Sequence, residues 1–173
     1  IATPPGIGGL GLIRLSGSGV EGIARRLFRP LPPAGFLSHR LYHGDIVSPD
    51  KGDVLDEVLI AFLKGPRSYT GEDTLEINCH GGLLILQNVL SAVVKAGARL
   101  ATPGEFTKRA FLNNRIDLSQ AEAIADMISA KTDAGLAIAL SQMTGRLREK
   151  IESYRQALID ILAELEAAID FSD

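Results

Sequence analysis

The stretch DTLEINCHGGLLILQNVLSAVVKAG, residues 73–97, places a strand directly before a helix. Its first part alternates, so that Leu75, Ile77 and Cys79 share one face of the predicted strand. The other face carries four polar residues: Thr74, Glu76, Asn78 and His80. The second part is apolar on all sides and reaches Gly97, which predicts a buried helix that ends there. The stretch therefore predicts a sheet with one polar face, which is either solvated or functional.

Strands and a helix are also predicted before this stretch. LGLIRLSG (10–17) alternates with Gly11, Ile13 and Leu15 on one face, and VEGIARRLF (20–28) has a helical apolar stripe. The stripe consists of Val20, Ile23, Ala24 and Leu27. HRLYHGDIV (39–47) and DVLDEVLIAFL (53–63) are separated by the turn residues SPDKGD, which predicts two antiparallel strands.

The glycine-rich start GIGGLG (6–11) has the spacing of a dinucleotide-binding loop. Such a loop follows a buried strand and opens a helix whose N-terminal amides hold a pyrophosphate. Here a proline pair precedes the glycines and a strand follows them. The order of elements therefore argues against a nucleotide site.

Helices are predicted from residue 102 onward. TPGEF (102–106) has the pattern of a capping box with proline at the first helical position, followed by a helix over 105–113. A second helix start is signalled either by Asp117 with Gln120 or by Ser119 with Glu122.

A seam of apolar residues at steps of three or four then predicts one long helix packed against others, without a forced break. Its members are Leu136, Leu140, Met143, Leu147, Ile151, Tyr154, Leu158, Ile161, Leu165 and Ile169. The expected fold class is α+β: a mixed or antiparallel sheet with helices over 1–116, then the first part of an all-α domain over 117–173.

Composition excludes several classes of protein. The chain has 173 residues, 46% of them hydrophobic, which suffices for a core without disulfides or metals. Its single cysteine and short apolar runs predict a soluble, cytoplasmic protein without a membrane span. A net charge of -3 argues against broad capture of nucleic acid. Because it starts without Met and stops just after a helix, we expect a piece of a longer protein.

Few residues suggest catalysis. Cys79 falls on the core face of its strand, the three histidines lack metal-ligand spacing, and no serine lies in a nucleophile elbow. We expect neither a metal site nor a catalytic residue. The polar strand and the loop SYTGED (68–73) hold the densest polar groups.

Four segments in order carry a family resemblance: ATPPGIGGLGLIRLSG (2–17), SYTGEDTLEINCHGG (68–82), TPGEFTKRAFLNNRIDLSQAEAIADMISAKT (102–132) and AAIDFSD (167–173). Together they resemble the N-terminal part of the MnmE/TrmE family of tRNA modification GTPases. The family's GTPase domain, through which GTP, Mg and K would bind, has no counterpart in these segments.

The resemblance implies a function. With the flavoprotein MnmG/GidA, members place an aminomethyl-type group on the wobble uridine of tRNA. Their N-terminal domain resembles the folate-binding fold of the glycine-cleavage aminomethyltransferase, forms a homodimer and binds 5-formyltetrahydrofolate or another tetrahydrofolate derivative. It implies that residues 1–116 are this folate-binding and dimerisation domain.

Carried over by position, the folate contacts fall on Arg14, Glu76 and Arg115. A carboxylate such as Glu76 can accept the neighbouring N–H groups of a pterin, and the arginines can neutralise the glutamate tail. Secondary candidates, as ring-stacking or loop-shaping neighbours, are Tyr69, His80, Phe106 and Arg109.

Two other functions stay open at this point. The domain could be an interaction module whose polar strand is an interface. It could also be a folate-dependent aminomethyltransferase, a reading that rests on the implied fold alone.

Overall fold

The computed structural model describes residues 1–170. The last three residues of the segment AAIDFSD lie outside this range. The described residues form six helices and five strands, an α+β arrangement. The chain divides into two compact units, Ile1–Arg115 and Ile116–Asp173, which are described separately.

The first unit is built on one antiparallel sheet. Its elements are β1 (Leu10–Ser16), α1 (Val20–Leu27), β2 (Phe28–Arg29), β3 (Arg40–Val47), β4 (Val54–Leu63), β5 (Thr74–His80), α2 (Leu83–Lys95) and α3 (Glu105–Leu112). The strand order is β1-β5-β4-β3-β2. The first strand of the chain, β1, is therefore an edge strand and pairs with the last, β5. The predicted strands and the β3–β4 pairing are confirmed.

The core lies between one face of this sheet and the helices α1 and α2. Ile13, Ile60 and Ile77 are at most 1% exposed and pack in one cluster with residues of both helices. The predicted stripe of α1 is buried, as is the predicted core face of β5. The sheet therefore has a helix-covered face and an opposite face on which the polar residues lie.

The helix α2 is less buried than its sequence predicts. Leu86 and Val89 face the sheet, but Leu83 and Leu84 are 55% and 70% exposed. A helix packed on one sheet layer can bury only one side, so the expectation of a fully buried helix was wrong.

The helix α3 begins at Glu105 as predicted, but its cap differs from the prediction. Gly104, with φ of 73°, is the residue before the helix, so the helix begins after Pro103. Glu105 accepts a hydrogen bond from the Thr102 backbone N–H at 2.9 Å, which is half of the expected capping box. The Thr102 hydroxyl does not accept the reciprocal bond, because Thr102 belongs to the preceding turn.

The second unit contains α4 (Leu118–Ser129), α5 (Asp133–Met143) and α6 (Arg146–Asp170). Asp117 caps α4 with a complete capping box through Gln120, which decides between the two predicted starts. The predicted continuous seam is interrupted at Gly145, whose φ of 74° is left-handed. Glycine adopts this conformation without steric cost, so the chain breaks there without a proline.

The apolar seam is exposed within this chain. None of the described residues of α6 is buried, and Leu158 and Ile169 are 68% and 73% exposed. The expectation that the seam forms a core is therefore not met by the residues that the structure describes. Within residues 1–170, no helix is long and apolar enough to cross a membrane.

Candidate functional site

The site centres on an ion pair between two strands. Arg14 on β1 and Glu76 on β5 are direct cross-strand partners on the face opposite the core. The Nε and Nη2 atoms of Arg14 both lie 2.9 Å from Oε1 of Glu76. The two side chains are 31% and 28% exposed, so the pair is accessible to a ligand. Oε2 of Glu76 takes neither of the Arg14 bonds.

Two aromatic rings lie against the guanidinium of Arg14. The guanidinium carbon of Arg14 lies 5.9 Å from the ring centre of Tyr69 and 5.8 Å from that of Phe106. Tyr69 comes from the loop between β4 and β5, and Phe106 from the first turn of α3. The Tyr69 hydroxyl lies 2.9 Å from the Thr107 hydroxyl, which links the loop to the helix. Arg14, Glu76, Tyr69 and Phe106 thus form one cluster.

A charged network borders the cluster. Arg109 on α3 donates to Glu72 at 2.7 Å and to Glu105 at 2.7 Å. Burial raises the pKa of Glu72, but the hydrogen bonds from Ser16 and Arg109 outweigh it and lower the pKa overall. The pKa of Glu105 is held far below its usual range by hydrogen bonds from Arg99, the Thr102 backbone and Arg109. Arg109 is therefore committed to two carboxylates of the chain itself.

Arg115 lies against the same loop but outside the ion pair. Its Nε donates a hydrogen bond to the Ser68 carbonyl at 3.2 Å. Its backbone N–H donates to the Ala110 carbonyl, near the end of α3. Among residues 1–170, no carboxylate lies within ion-pair distance of its guanidinium. The structure brings Arg14 and Glu76 together, whereas Arg115, which follows α3, contacts the loop between β4 and β5 and takes no part in this ion pair.

His80 is turned towards a different partner. Its Nδ1 lies 2.7 Å from Oδ1 of Asp56, whose side chain is only 7% exposed. His80 is four residues beyond Glu76, about 13 Å along a strand. It therefore lies outside the cluster. Asp56 is not among the site residues predicted from the sequence. It lies on the same face of β4 as the buried Val58 and Ile60, at alternating positions.

Cys79 is buried on the core face, as predicted. Burial, assisted by the charge of Asp56, raises the pKa of its thiol to about 12. A thiol with such a pKa is almost entirely protonated near neutral pH, so it is a poor nucleophile. Among residues 1–170, no group of three potential metal ligands is found.

A cleft of about 640 Å³ lies along β1, between α1, α2 and residues 97–109. Arg14, Phe106 and Arg109 line part of it, whereas Glu76, Tyr69 and Arg115 do not. The glycine-rich residues 6–9 precede β1 rather than a helix, so the order of elements differs from that of a dinucleotide-binding loop.

The cluster offers groups that suit one kind of ligand. Oε2 of Glu76 can accept hydrogen bonds and the Arg14 guanidinium can donate them. The rings of Tyr69 and Phe106 can pack against a planar ligand. A planar heterocycle with neighbouring donors and acceptors on one edge fits this set.

Comparison with known proteins assigns both parts of the chain. The family model described as GTP-binding protein TrmE N-terminus matches residues 1–115, and that described as MnmE helical domain matches residues 118–173. The boundary between the two matches falls where the two compact units meet in the chain.

Curated relatives match over the whole chain. The tRNA modification GTPase MnmE of Syntrophus aciditrophicus is 56% identical over 174 residues. Those of Chloroflexus aurantiacus and Carboxydothermus hydrogenoformans are 54% and 51% identical. In each case the match covers 100% of this chain and 38% of the relative, so the chain spans well under half the length of these proteins.

Proposed function

Because the chain belongs to the family of the GTP-binding protein TrmE N-terminus, we propose that its first unit binds a reduced folate. The proposed ligand is 5-formyltetrahydrofolate or another tetrahydrofolate derivative, and the proposed role is to hold the one-carbon donor for a tRNA modification. The observation that supports this most is the Arg14–Glu76 pair, whose arginine also contacts Tyr69 and Phe106.

The pterin ring fits this cluster chemically. One edge of a pterin carries a ring N–H and an amino group beside each other, next to a carbonyl oxygen. Glu76 can accept from the two donors and Arg14 can donate to the carbonyl, as charge-assisted hydrogen bonds. Tyr69 and Phe106 supply flat apolar surfaces for the ring. Arg14 therefore recognises the same end of the ligand as Glu76, instead of the glutamate tail.

The anionic tail requires a separate positive charge. Arg115 is the candidate, since its guanidinium has no carboxylate partner among residues 1–170 and donates to the Ser68 carbonyl, in the loop that carries Tyr69. Arg109 is a poor candidate, because Glu72 and Glu105 already neutralise it. We assign the tail to Arg115 and a structural role to Arg109.

The activity of the longer protein is part of the same proposal. The relatives are named tRNA modification GTPases. We propose that this chain acts within such a protein, that GTP, Mg and K bind elsewhere in it, and that MnmG/GidA and tRNA are its partners. The acidic net charge of -3 agrees with a unit that holds the donor rather than one that captures RNA.

Self-association is proposed for the first unit. The face that carries Arg14 and Glu76 also exposes Leu10, Leu41 and Leu59, which are 74%, 66% and 43% exposed. Register places Leu41 in one cross-strand row with Ala61, Glu76 and Arg14. The expected dimer would cover these apolar side chains beside the folate site.

The test is a calorimetric titration with 5-formyltetrahydrofolate. A hydrogen bond to a charged group contributes about 1.5–3 kcal/mol, so Glu76→Ala is expected to weaken binding about 10- to 100-fold. Glu57→Ala is the control, because it removes an exposed glutamate of the same sheet whose ion pair, among residues 1–170, is with His43. An affinity of Glu76→Ala within about twofold of the unaltered chain, or about 0.4 kcal/mol, would contradict the assignment. No binding at all would favour an interaction module.

A further inference from the structure

One carboxylate joins three separate segments beside the candidate site. Oε2 of Glu72 accepts from the Ser16 hydroxyl at 2.8 Å, at the end of β1, and from Arg109 at 2.7 Å, on α3. Glu72 itself belongs to the loop between β4 and β5. Strand, loop and helix therefore meet at a single charged group.

The two aromatic rings of the site are carried by segments that meet at this junction. Tyr69 lies three residues before Glu72 in the loop, and Phe106 lies three residues before Arg109, about one turn along α3. If α3 moved away from the loop, the distance between the two rings would change. The contact between Glu72 and Arg109, together with the hydrogen bond between Tyr69 and Thr107, therefore holds the two rings at Arg14.

Close packing at Gly71 holds the same junction. Gly71 has a φ of 78°, and a Cβ added there would lie 3.1 Å from Cβ of Asn113 and 3.2 Å from Cγ of Arg115. Asn113 also donates to the Thr70 carbonyl at 2.7 Å. The loop and the end of α3 are in contact along several residues, so the site has its shape before any ligand binds.

We propose that Glu72 is a positioning residue of the folate site, whose carboxylate sets the spacing of Tyr69 and Phe106 through its bonds to Ser16 and Arg109. This inference rests on the proposed function and adds a residue that does not itself touch the ligand. A preformed site binds more tightly because fewer groups must be ordered on binding. Glu72 therefore orders the two rings of the site before the ligand binds.

The test compares Glu72→Gln with Glu21→Gln. The first keeps the side-chain size and an acceptor for Ser16 but removes the charge that Arg109 contacts. The second removes an equivalent glutamate–arginine pair on α1, where Glu21 lies 2.6 Å from Arg25. Glu72→Gln is expected to weaken 5-formyltetrahydrofolate binding about fivefold, which corresponds to about 1 kcal/mol, and Glu21→Gln to change it less than about twofold.

Hydrogen exchange of the ligand-free chain separates positioning from general unfolding. Glu72→Gln should increase exchange in residues 68–72 and 105–112 while the amides of β4 and β5 keep their protection. Unchanged exchange in these segments, unchanged affinity, or a loss of protection throughout the sheet would each overturn the proposal. If the unaltered chain failed to bind the folate, the proposed function would fail, and the exchange data would still decide whether Glu72 holds the junction.

Discussion

Glu76 accepts both Arg14 hydrogen bonds on one oxygen, and both side chains are about one third exposed or slightly less. Ion pairs that are this accessible contribute about 0–1 kcal/mol to stability. The pair is therefore better suited to recognition than to holding the fold. A loss of ligand affinity in Glu76→Ala can be interpreted as a loss of contacts, because the sheet around it is stabilised by the core on its other face.

A matched pair of glycines tests the contact between the loop and α3. Gly71 and Gly52 have φ values of 78° and 77°, but a Cβ at Gly52 would have no atom within 4 Å. An alanine at either position costs about 1–2 kcal/mol for the left-handed backbone. We expect Gly71→Ala to lower the free energy of unfolding by at least about 1 kcal/mol more than Gly52→Ala, because its Cβ crowds Asn113 and Arg115.

Urea denaturation of the two variants measures this difference. Gly71→Ala should also weaken folate binding, whereas Gly52→Ala should leave it unchanged. Equal destabilisation by the two substitutions would show that α3 and the loop are not in close contact.

The site could be predicted from the sequence only in part. Glu76 and Tyr69 lie in segments rich in polar residues, whereas Arg14 is assigned only through the family resemblance. The junction at Glu72 could not be found, because Arg109 is 37 positions away in the sequence and only the packing of α3 brings them together. Asp56 could have been found, because it is a charged residue at a core position of β4. A buried carboxylate needs hydrogen-bond partners, and His80 supplies them.

At the scale of elements, the strands follow from alternation, and their predicted faces agree with the buried residues of β1 and β5. Helix ends were harder to predict because they depend on single backbone conformations. Gly104 and Gly145 both have positive φ and directly precede α3 and α6. The apolar pattern alone does not indicate either of these helix starts. A periodic pattern shows which face of a helix is apolar, but it does not show where the backbone leaves the helical conformation.

The cap of α4 gives a prediction with a pH dependence. Burial raises the pKa of Asp117, but bonds from the Gln120 amide and the Ser119 hydroxyl, with the charge of Arg148, lower it overall. A lowered pKa in the folded state means that the ionised form stabilises the fold above the unfolded pKa of about 3.9 and that this is lost as the pH falls through the folded value. Asp117→Ala should cost about 1 kcal/mol near neutral pH.

Asp117→Asn is the matched variant for this prediction, because asparagine also caps helices but carries no charge. The difference in unfolding free energy between the unaltered chain and Asp117→Asn, followed by circular dichroism, should shrink as the pH falls below about 4. A difference that stays constant down to about pH 2 would show that the charge of Asp117 does not stabilise the fold.

For the whole molecule, the exposed apolar residues of the sheet face predict self-association. Leu59 lies in one cross-strand row with Asn78 and Leu12 on that face. Leu59→Lys should weaken a dimer by at least about tenfold, since a charge would be buried without a partner. Leu84→Lys, on the exposed side of α2, is the control and should leave the assembly unchanged.

Sedimentation equilibrium measures both variants. A monomer at all concentrations of the unaltered chain would contradict the proposed dimer. Equal weakening by the two substitutions would place the interface elsewhere.

The central claim is that the Arg14–Glu76 pair, with Tyr69 and Phe106, recognises a reduced folate. The most direct measurement is a crystal structure of the chain with 5-formyltetrahydrofolate. The account predicts the pterin against Tyr69 and Phe106, its amino and ring N–H groups within about 3 Å of the Glu76 carboxylate. A folate bound away from Glu76, or a pterin that contacts neither ring, would contradict it.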